Sequence, residues 1–187
     1  MESELEIEVK IRMEDAGQRL QAAGLPLEEV LARHFEENWL LDTPDERLSG
    51  QGVALRLRTV GNRTWVTYKG RVQTEANFKV REELETTVAD GDILFLILER
   101  LGFQRKFLYQ KWRTVYRLSL FDGTTVLAMV DETPMGAFLE LEGARAGIME
   151  VAKALGVGTE DFITKGYPSL QAEACQQRGQ PLANMVF

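Results

Sequence analysis

Charged and apolar residues alternate over the first predicted strand, and this pattern constrains the fold more than any other feature of the sequence. In ELEIEVKIRM, residues 4–13, successive side chains of a β-strand point to opposite faces. One face carries Glu6, Glu8 and Lys10, and the other carries Ile7 and Val9. Neighbouring carboxylates on one face lie roughly 6.6 Å apart and repel by about 2.5 kcal/mol at an effective dielectric of about 20. Such a face needs either water or a cation beside it.

The same alternation recurs in six further segments, often bounded by turn residues, which is typical of antiparallel strands. They are GVALRLRTV, TWVTYKGR, FKVREELETTV, LYQKWRTVYRLSL, TTVLAMVDE and GAFLELEG, with NWLLDT as a shorter candidate. Helices are predicted in EDAGQRLQAAG, PLEEVLARHF, GDILFLILERLG, GIMEVAKALG and YPSLQAEACQQRG. About eight mostly consecutive strands and a few helices predict an α+β fold built on an antiparallel sheet or barrel.

Composition limits the class of protein. The 187 residues are 44% hydrophobic and 27% charged, which is typical of a globular protein, and no linker or repeat divides them, so one domain over residues 1–187 is expected. The net charge of -7 argues against a general nucleic-acid-binding surface. A single cysteine, an acidic start where a secretory signal is basic, and no long apolar run predict a cytoplasmic protein without a membrane segment.

The charged faces of the strands are segregated by sign. Glu pairs dominate the first, fifth and last strands, whereas Arg and Lys pairs dominate the third and sixth. Strand by strand, a solvated outer face explains this charge, but the whole set favours a barrel with its charges inside and helices over its apolar outside. Because desolvating charge is costly, such an interior needs a ligand. A polyphosphate with Mg²⁺ or Mn²⁺ satisfies both the basic and the acidic side chains.

An ordered series of motifs resembles the CYTH superfamily, the triphosphate tunnel metalloenzymes that include class IV adenylyl cyclase and thiamine triphosphatase. EIEVK, residues 6–10, is similar to the ExExK signature of that family. The series continues through DTPDERLSGQGVALRLR, TYKGR, REELE, LGF, KWR, VDETPMGAFLELE and KGYPSL, and covers essentially the whole chain. The resemblance implies a closed eight-stranded antiparallel β-barrel, a tunnel with a charged interior flanked by helices.

The resemblance also implies site residues and one or two Mg²⁺ or Mn²⁺ ions. Glu6, Glu8 and Lys10 are the expected catalytic residues. The implied metal ligands are Glu6, Glu8, Glu83, Glu85, Asp131, Glu140 and Glu142. The implied phosphate-binding residues are Lys10, Arg56, Arg58, Lys69, Arg81, Lys111, Arg113 and Lys165.

Structural roles are predicted for a few residues outside this set. His34 ends the predicted helix over residues 26–35, where it is expected to cap or pack, and Asp42 is expected to fix the turn that follows it. Lys79 and Arg117 share charged faces, and the pattern leaves open whether they lie in the tunnel or at its rim.

The implied activity is divalent-metal-dependent hydrolysis of a triphosphate: inorganic triphosphate, thiamine triphosphate or a nucleoside triphosphate. HFEENWLLDTPD is more similar to the phosphohydrolase branch than to the class IV cyclases. The alternatives are an adenylyl cyclase that makes cyclic AMP and pyrophosphate from ATP, and a non-catalytic module that binds polyphosphate or a nucleotide. The expected partner is a small-molecule triphosphate, with neither nucleic acid nor membrane, and a homodimer is compatible with the family.

Overall fold

The computed structural model describes residues 4–187, so the first three residues of the acidic start lie outside the described part. Its strands are β1 (Glu4–Arg12), β2 (Leu27–Asp42), β3 (Ala54–Val60), β4 (Arg63–Lys69), β5 (Gln73–Glu75), β6 (Phe78–Val88), β7 (Gln104–Ser119), β8 (Thr125–Thr133) and β9 (Gly136–Gly143). Its helices are α1 (Ala16–Ala22), α2 (Arg47–Gly50), α3 (Gly91–Arg100), α4 (Arg145–Ala154) and α5 (Tyr167–Gln177), with a 3₁₀ turn at Thr159–Asp161.

Eight of these strands close an antiparallel barrel in the order β1-β9-β8-β7-β2-β3-β4-β6. Strand β1 closes the ring because it pairs with β6 over residues 4–8 and with β9 over residues 8–12. The short strand β5 pairs with β6 and is an addition to the ring. The predicted α+β fold and closed eight-stranded barrel are therefore confirmed, with one extra strand.

The main apolar core lies between the outside of the barrel and the helices. Val9 of β1 and Leu139 and Leu141 of β9 are almost fully buried, and they share one cluster with Leu20 of α1 and Ile148 of α4. Burial of such side chains stabilises the fold by about 25 cal/mol per Å² of apolar surface. Since side chains alternate along each strand, the same arrangement turns the charged side chains toward the barrel axis.

A second apolar cluster covers one end of the barrel. Phe107 and Tyr109 of β7, Phe138 of β9 and Met185 near the C-terminus pack with Tyr167 at the start of α5. The Tyr167 ring centroid lies 5.5 Å from that of Phe138, in an edge-to-face arrangement. Helix α5 therefore closes this end of the barrel and brings an aromatic side chain into its interior.

One predicted helix is wrong. Residues 26–35, PLEEVLARHF, belong mostly to β2, which begins at Leu27 and pairs with β7 along its length, with register irregularities around Leu31. Residues with good helix propensity form a strand here because the pairing with β7 outweighs local preference. His34 consequently does not end a helix but lies opposite Arg113 of β7.

The other four predicted helices are confirmed as α1, α3, α4 and α5. Asp90 caps α3, because its carboxylate accepts a 2.9 Å hydrogen bond from the backbone N–H of Ile93. Asp42 fixes the turn after β2 as predicted, since its carboxylate accepts hydrogen bonds from the backbone N–H groups of Leu48 and Ser49. No helix within residues 4–187 has the length and apolar content needed to cross a bilayer.

Candidate active site

The inward faces of the strands enclose a cavity of about 790 Å³. It brings together fourteen of the fifteen side chains that the sequence predicted as catalytic, metal-binding or phosphate-binding. They are Glu6, Glu8, Lys10, Arg56, Arg58, Lys69, Arg81, Glu83, Glu85, Lys111, Arg113, Glu140, Glu142 and Lys165. Residues far apart in the chain therefore meet in one enclosed, highly charged space.

The fifteenth residue, Asp131 of β8, does not line the cavity and is fully buried behind its basic wall. Arg113 donates hydrogen bonds to both of its carboxylate oxygens at 2.6 Å, and Lys111 donates to Oδ2 at 2.9 Å. The Tyr167 hydroxyl donates to the same Oδ2 at 2.6 Å. These donors occupy the carboxylate, so the predicted role of Asp131 as a metal ligand stays a prediction that would require one of them to be displaced.

Glu140 of β9 accepts hydrogen bonds from both Lys10 and Arg113. Burial raises the pKa of Glu140, but the charges of Lys10 and Arg113 outweigh it and hold that pKa well below the usual range. Burial likewise lowers the pKa of Lys10, and the charge of Glu140 outweighs it, so the pKa of Lys10 is raised. Both side chains are therefore ionised near neutral pH, and they fix each other in the middle of the cavity.

Glu6 and Glu142 form the acidic part of the cavity, and neither makes a salt bridge to another residue in the part of the chain that the structure describes. Burial and repulsion from Glu83 and Glu142 raise the pKa of Glu6 to about 8. Burial and repulsion from Glu8 and Glu140 raise the pKa of Glu142 to about 6. These carboxylates keep their protons to a higher pH than usual because nearby positive charge is insufficient. A divalent cation would compete with these protons for the carboxylate oxygens.

The acidic side chains fit a hard divalent cation by their chemistry, because they offer only carboxylate oxygens. Within residues 4–187, no three His, Cys, Asp or Glu side chains already converge on a common point. Glu8 accepts a hydrogen bond from Lys79, and Glu83 accepts one from Lys69. Binding of a cation by Glu6 and Glu142 together with either of these residues would therefore require side-chain rotation.

Two arginines of β3 form part of the basic wall. Arg56 donates hydrogen bonds to Thr67 at 3.1 Å and to Glu85 at 3.0 Å, while Arg58 donates to the Asn38 side-chain oxygen at 2.9 Å. The Nε of Arg56 is buried and lacks a hydrogen-bond acceptor among the described residues. Burial and the adjacent Arg56 lower the pKa of Arg58. Because these buried N–H donors outnumber their acceptors, an anion inside the barrel would accept hydrogen bonds from them.

Glu36 is the most important cavity residue that the sequence analysis missed. Its side chain is buried, with Oε2 lying 3.3 Å from Arg58 Nε and 3.6 Å from Lys111 Nζ. Burial raises its pKa, but Lys111 and then Arg58 outweigh burial and hold the pKa well below its usual range. The signal was weak, since only Phe35 among the neighbours of these two residues is apolar, and the predicted helix over residues 26–35 concealed the face that His34 and Glu36 share.

The two residues that the pattern left open have different positions. Lys79 is buried and donates a hydrogen bond to Glu8, whose pKa falls to about 2 because Lys79 outweighs the effect of burial. Arg117 instead pairs at the surface with Glu28 at 2.8 Å, and both side chains are exposed. Lys79 therefore belongs to the cavity, and Arg117 belongs to its surroundings.

Two predicted phosphate ligands have partners of their own. Arg81 donates hydrogen bonds to the backbone oxygens of Gly70 at 2.6 Å and Lys69 at 3.1 Å. Lys165 is exposed and pairs with Glu173 of α5 at 2.5 Å. His34, which also lines the cavity, places Nδ1 2.8 Å from the Ala32 backbone oxygen and Nε2 3.3 Å from Glu36.

The fold and the site define a class of protein, namely closed antiparallel barrels whose cavity is lined by acidic and basic side chains. The model of the CYTH domain family matches residues 4–167, so the chain is a member of this family. CYTH domain proteins are enzymes that act on triphosphates, as triphosphatases or adenylyl cyclases.

Known relatives share the fold along nearly their whole length. The chain is 27% identical over 181 residues to a Methanocaldococcus jannaschii protein named "Putative adenylate cyclase", covering 89% of this chain and 98% of that protein. A Vibrio parahaemolyticus structure with the same description has a TM-score of 0.74 at 21% identity, covering 90% of this chain and 98% of that one. A Hippeastrum protein described as a "putative adenylyl cyclase" with a dominant triphosphatase activity has a TM-score of 0.63 at 20% identity. The match covers 95% of this chain and 97% of that one.

Proposed function

We propose that this protein is a divalent-metal-dependent triphosphatase that binds its substrate inside the barrel. The observation that supports this best is the combination of a wall of buried guanidinium and ammonium groups with carboxylates, Glu6 and Glu142, that lack a positive partner among the described residues. A triphosphate satisfies the first set and its accompanying cation satisfies the second. The activity described for the Hippeastrum relative is of the same kind.

The basic wall is proposed to bind and orient the phosphate chain. Arg56, Arg58 and Arg113 present forked donors that match phosphate oxygens, whereas Lys10 and Lys111 act as compact charges. Their positions are set before the substrate binds, because each is held by an ion pair. Glu85 holds Arg56, and Glu140, Glu36 and Asp131 hold the other four. Preorganised positive charge of this kind stabilises the charge that develops on the transferred phosphoryl group.

The acidic residues are proposed to hold the cation and the attacking water. Glu6, Glu8, Glu140 and Glu142 would hold one or two Mg²⁺ or Mn²⁺ ions, with Glu83 contributing from the neighbouring strand β6. A bound divalent cation supplies neutralisation of phosphate charge and activation of water. Glu8 is ionised and can accept hydrogen bonds from that water, and so orient it toward the terminal phosphorus. Glu85 is proposed to orient Arg56.

An adenylyl cyclase is the second candidate, and two observations favour it. The Methanocaldococcus relative carries a cyclase name, and three apolar residues of the cavity, Leu31, Val115 and Met129, could contact a nucleoside. A binding module without catalysis is disfavoured, because an anion binder without cations gains little from Glu6 and Glu142, which form no salt bridge within residues 4–187.

Parallel assays of inorganic triphosphate, thiamine triphosphate and ATP with Mg²⁺ or Mn²⁺ separate these functions. The triphosphatase releases orthophosphate, whereas the cyclase releases pyrophosphate and cyclic AMP. We expect Glu8→Gln to abolish orthophosphate release while some triphosphate binding remains, and Glu150→Gln on the exposed face of α4 to retain wild-type turnover. Cyclic AMP formed at a rate comparable to phosphate release would reverse the proposal.

We also infer that residues 1–187 act as one domain in the cytoplasm. The free thiol of Cys175 is buried, which suits a reducing compartment. Limited proteolysis is expected to leave one resistant fragment, and cell fractionation is expected to recover the protein in the cytosol.

A further inference from the structure

His34 lies in the wall of the cavity, next to an irregularity of strand β2. Two residues of β2, Ala32 and Arg33, lie between register pairs that enclose only one residue of β7, which is a β-bulge. Bulges commonly redirect side chains beside active sites. The His34 side chain lines the cavity and is 14% exposed, whereas the Arg33 side chain is exposed outside the cavity and pairs with Glu132.

Both ring nitrogens of His34 face hydrogen-bond acceptors. Nδ1 lies 2.8 Å from the Ala32 backbone oxygen, and Nε2 lies 3.3 Å from Glu36 Oε1. Neither acceptor can donate, because one is a carbonyl and the other is a carboxylate whose pKa lies well below the usual range. A neutral imidazole has only one N–H, so it would turn a nitrogen lone pair toward one of these oxygens. The geometry therefore requires an N–H on each nitrogen, which makes His34 an imidazolium.

The charged groups that act on this ring come from two strands. Glu36 follows it on β2, and Arg113 lies opposite it on β7. The hydrogen bond to Glu36 raises the pKa of His34, and this effect outweighs burial and the repulsion from Arg113. His34 therefore keeps its second proton to a higher pH than an ordinary histidine.

The Glu36 carboxylate is shared among three cations. Its Oε1 faces His34, and its Oε2 lies 3.3 Å from Arg58 Nε and 3.6 Å from Lys111 Nζ. Without the imidazolium, the negative charge of Glu36 offsets the positive charge of the two residues that are proposed to bind the phosphate chain. With the imidazolium, that negative charge is compensated from the other side.

We propose that His34 is a positioning residue that makes phosphate binding dependent on a proton. Its imidazolium compensates Glu36, so the cations on the other carboxylate oxygen remain available to the phosphate chain. When His34 loses this proton, the charge of Glu36 repels the phosphate chain and the affinity falls. This inference rests on the proposed function, because it concerns the same phosphate site.

NMR measures the protonation of His34 directly, because it is the only histidine of the chain and its ring C–H gives one signal in a tag-free protein. We expect its pKa in the free protein to lie above the ordinary value of about 6.5. Inorganic triphosphate, added with EDTA to prevent metal-dependent hydrolysis, should raise it by about one further pH unit. By linkage, this corresponds to about tenfold tighter binding to the protonated form.

The NMR titration separates this inference from the proposed function. Binding of triphosphate with no change in the pKa of His34 would overturn the inference and leave the proposed function intact. Absence of triphosphate binding both with EDTA and with Mg²⁺ would overturn the two together. A pKa of the free protein at or below the ordinary value would overturn the inference alone.

Two substitutions separate the charge of His34 from a structural role, with calorimetry measuring triphosphate binding at about pH 6 and about pH 8.5. His34→Gln keeps a donor without the charge, and should bind about tenfold more weakly than the wild type at the lower pH and equally at the higher. His34→Lys keeps a positive charge at both, and should match the wild type at the lower pH and exceed it about tenfold at the higher. Comparison at the same pH cancels the titration of the other groups.

Arg33→Gln is the matched control, because it removes a positive charge from the neighbouring residue, which does not line the cavity. It should bind triphosphate like the wild type at both pH values. Circular dichroism should show the same fold for all three variants. A His34→Lys variant that binds as weakly as His34→Gln at the higher pH, or a His34→Gln variant that equals the wild type at the lower pH, would overturn the inference.

Discussion

The Tyr167 hydroxyl donates a 2.6 Å hydrogen bond to Asp131 Oδ2, and this contact joins the C-terminal helix to the interior of the barrel. Asp131 in turn holds Lys111 and Arg113. The ammonium group of Lys10 lies 4.4 Å from the centroid of the Tyr167 ring. Helix α5 is therefore part of the basic wall as well as a cover for one end of the barrel.

Replacement of this hydroxyl is expected to destabilise the protein. Tyr167→Phe should lower the free energy of unfolding by about 1–3 kcal/mol, because the fully buried Asp131 loses one of its donors. Tyr116→Phe is the control, since Tyr116 is half-buried against the outer core and its hydroxyl makes no hydrogen bond to the described residues. Urea unfolding measures both variants, and equal stabilities would show that the Tyr167–Asp131 contact contributes nothing.

Glu36→Gln tests whether the cavity is preorganised for an anion. Removal of this buried carboxylate leaves Arg58 without a carboxylate partner and leaves Lys111 with Asp131 alone, so the stability of the free protein should fall by about 3 kcal/mol. Inorganic triphosphate should then raise the melting temperature of Glu36→Gln more than that of the wild type, because the ligand replaces the lost negative charge.

The control for this variant is the next residue. Glu37→Gln changes a partly buried side chain on the opposite face of β2, where Glu37 accepts a hydrogen bond from Gln110 at 3.0 Å. Thermal unfolding with and without triphosphate should leave Glu37→Gln close to the wild type. An equal response of the two variants would remove Glu36 from the anion site.

Stability without a cation is expected to fall as the pH rises from about 5 to about 7. Glu6, with a pKa of about 8, and Glu142, with a pKa of about 6, hold protons in the folded state that the unfolded chain releases near pH 4.5. The folded state therefore binds more protons in this range, and each step upward in pH favours unfolding. Lys69, with a pKa lowered to about 7, opposes this trend only above that pH.

A divalent cation should reverse this pH dependence, because it replaces the protons on Glu6 and Glu142. Mg²⁺ or Mn²⁺ at about 5 mM is expected to raise the melting temperature by about 2–5 °C at pH 7 and by less at pH 5.5. Glu6→Gln should lose most of this cation effect, whereas Glu150→Gln should retain it. The hydrogen bond to Glu36 raises the pKa of His34, so the titration of His34 also lowers the stability as the pH rises. The comparison with Glu6→Gln separates the contribution of the carboxylates from that of His34.

The alternation of charged and apolar residues was sufficient to predict the barrel and fourteen of its cavity residues, because strand parity alone decides which face a side chain occupies. The first half of β2 was not predicted, since its residues favour a helix and only the pairing with β7 makes it a strand. Glu36, the residue directly after the predicted helix, was missed as well. Tyr167 was placed correctly in a helix, but no local pattern shows where that helix packs.

Contacts within the cavity depend on the register between strands, which the sequence pattern does not specify. Lys79 faces Glu8 because β1 and β6 pair with these two residues opposite each other. Asp131 shares its face with the cavity residues, yet its carboxylate is saturated by Lys111, Arg113 and Tyr167 and does not reach the cavity. Its partners come from three elements, and only the assembled barrel brings them together.

The most direct test is a crystal structure of the Glu8→Gln variant with Mn²⁺ and inorganic triphosphate, using the anomalous signal of manganese. We expect manganese beside Glu6 and Glu142, with the phosphate chain inside the barrel in contact with Arg58 and Arg113. Manganese and triphosphate bound only at the outer surface, with an empty barrel, would contradict this expectation.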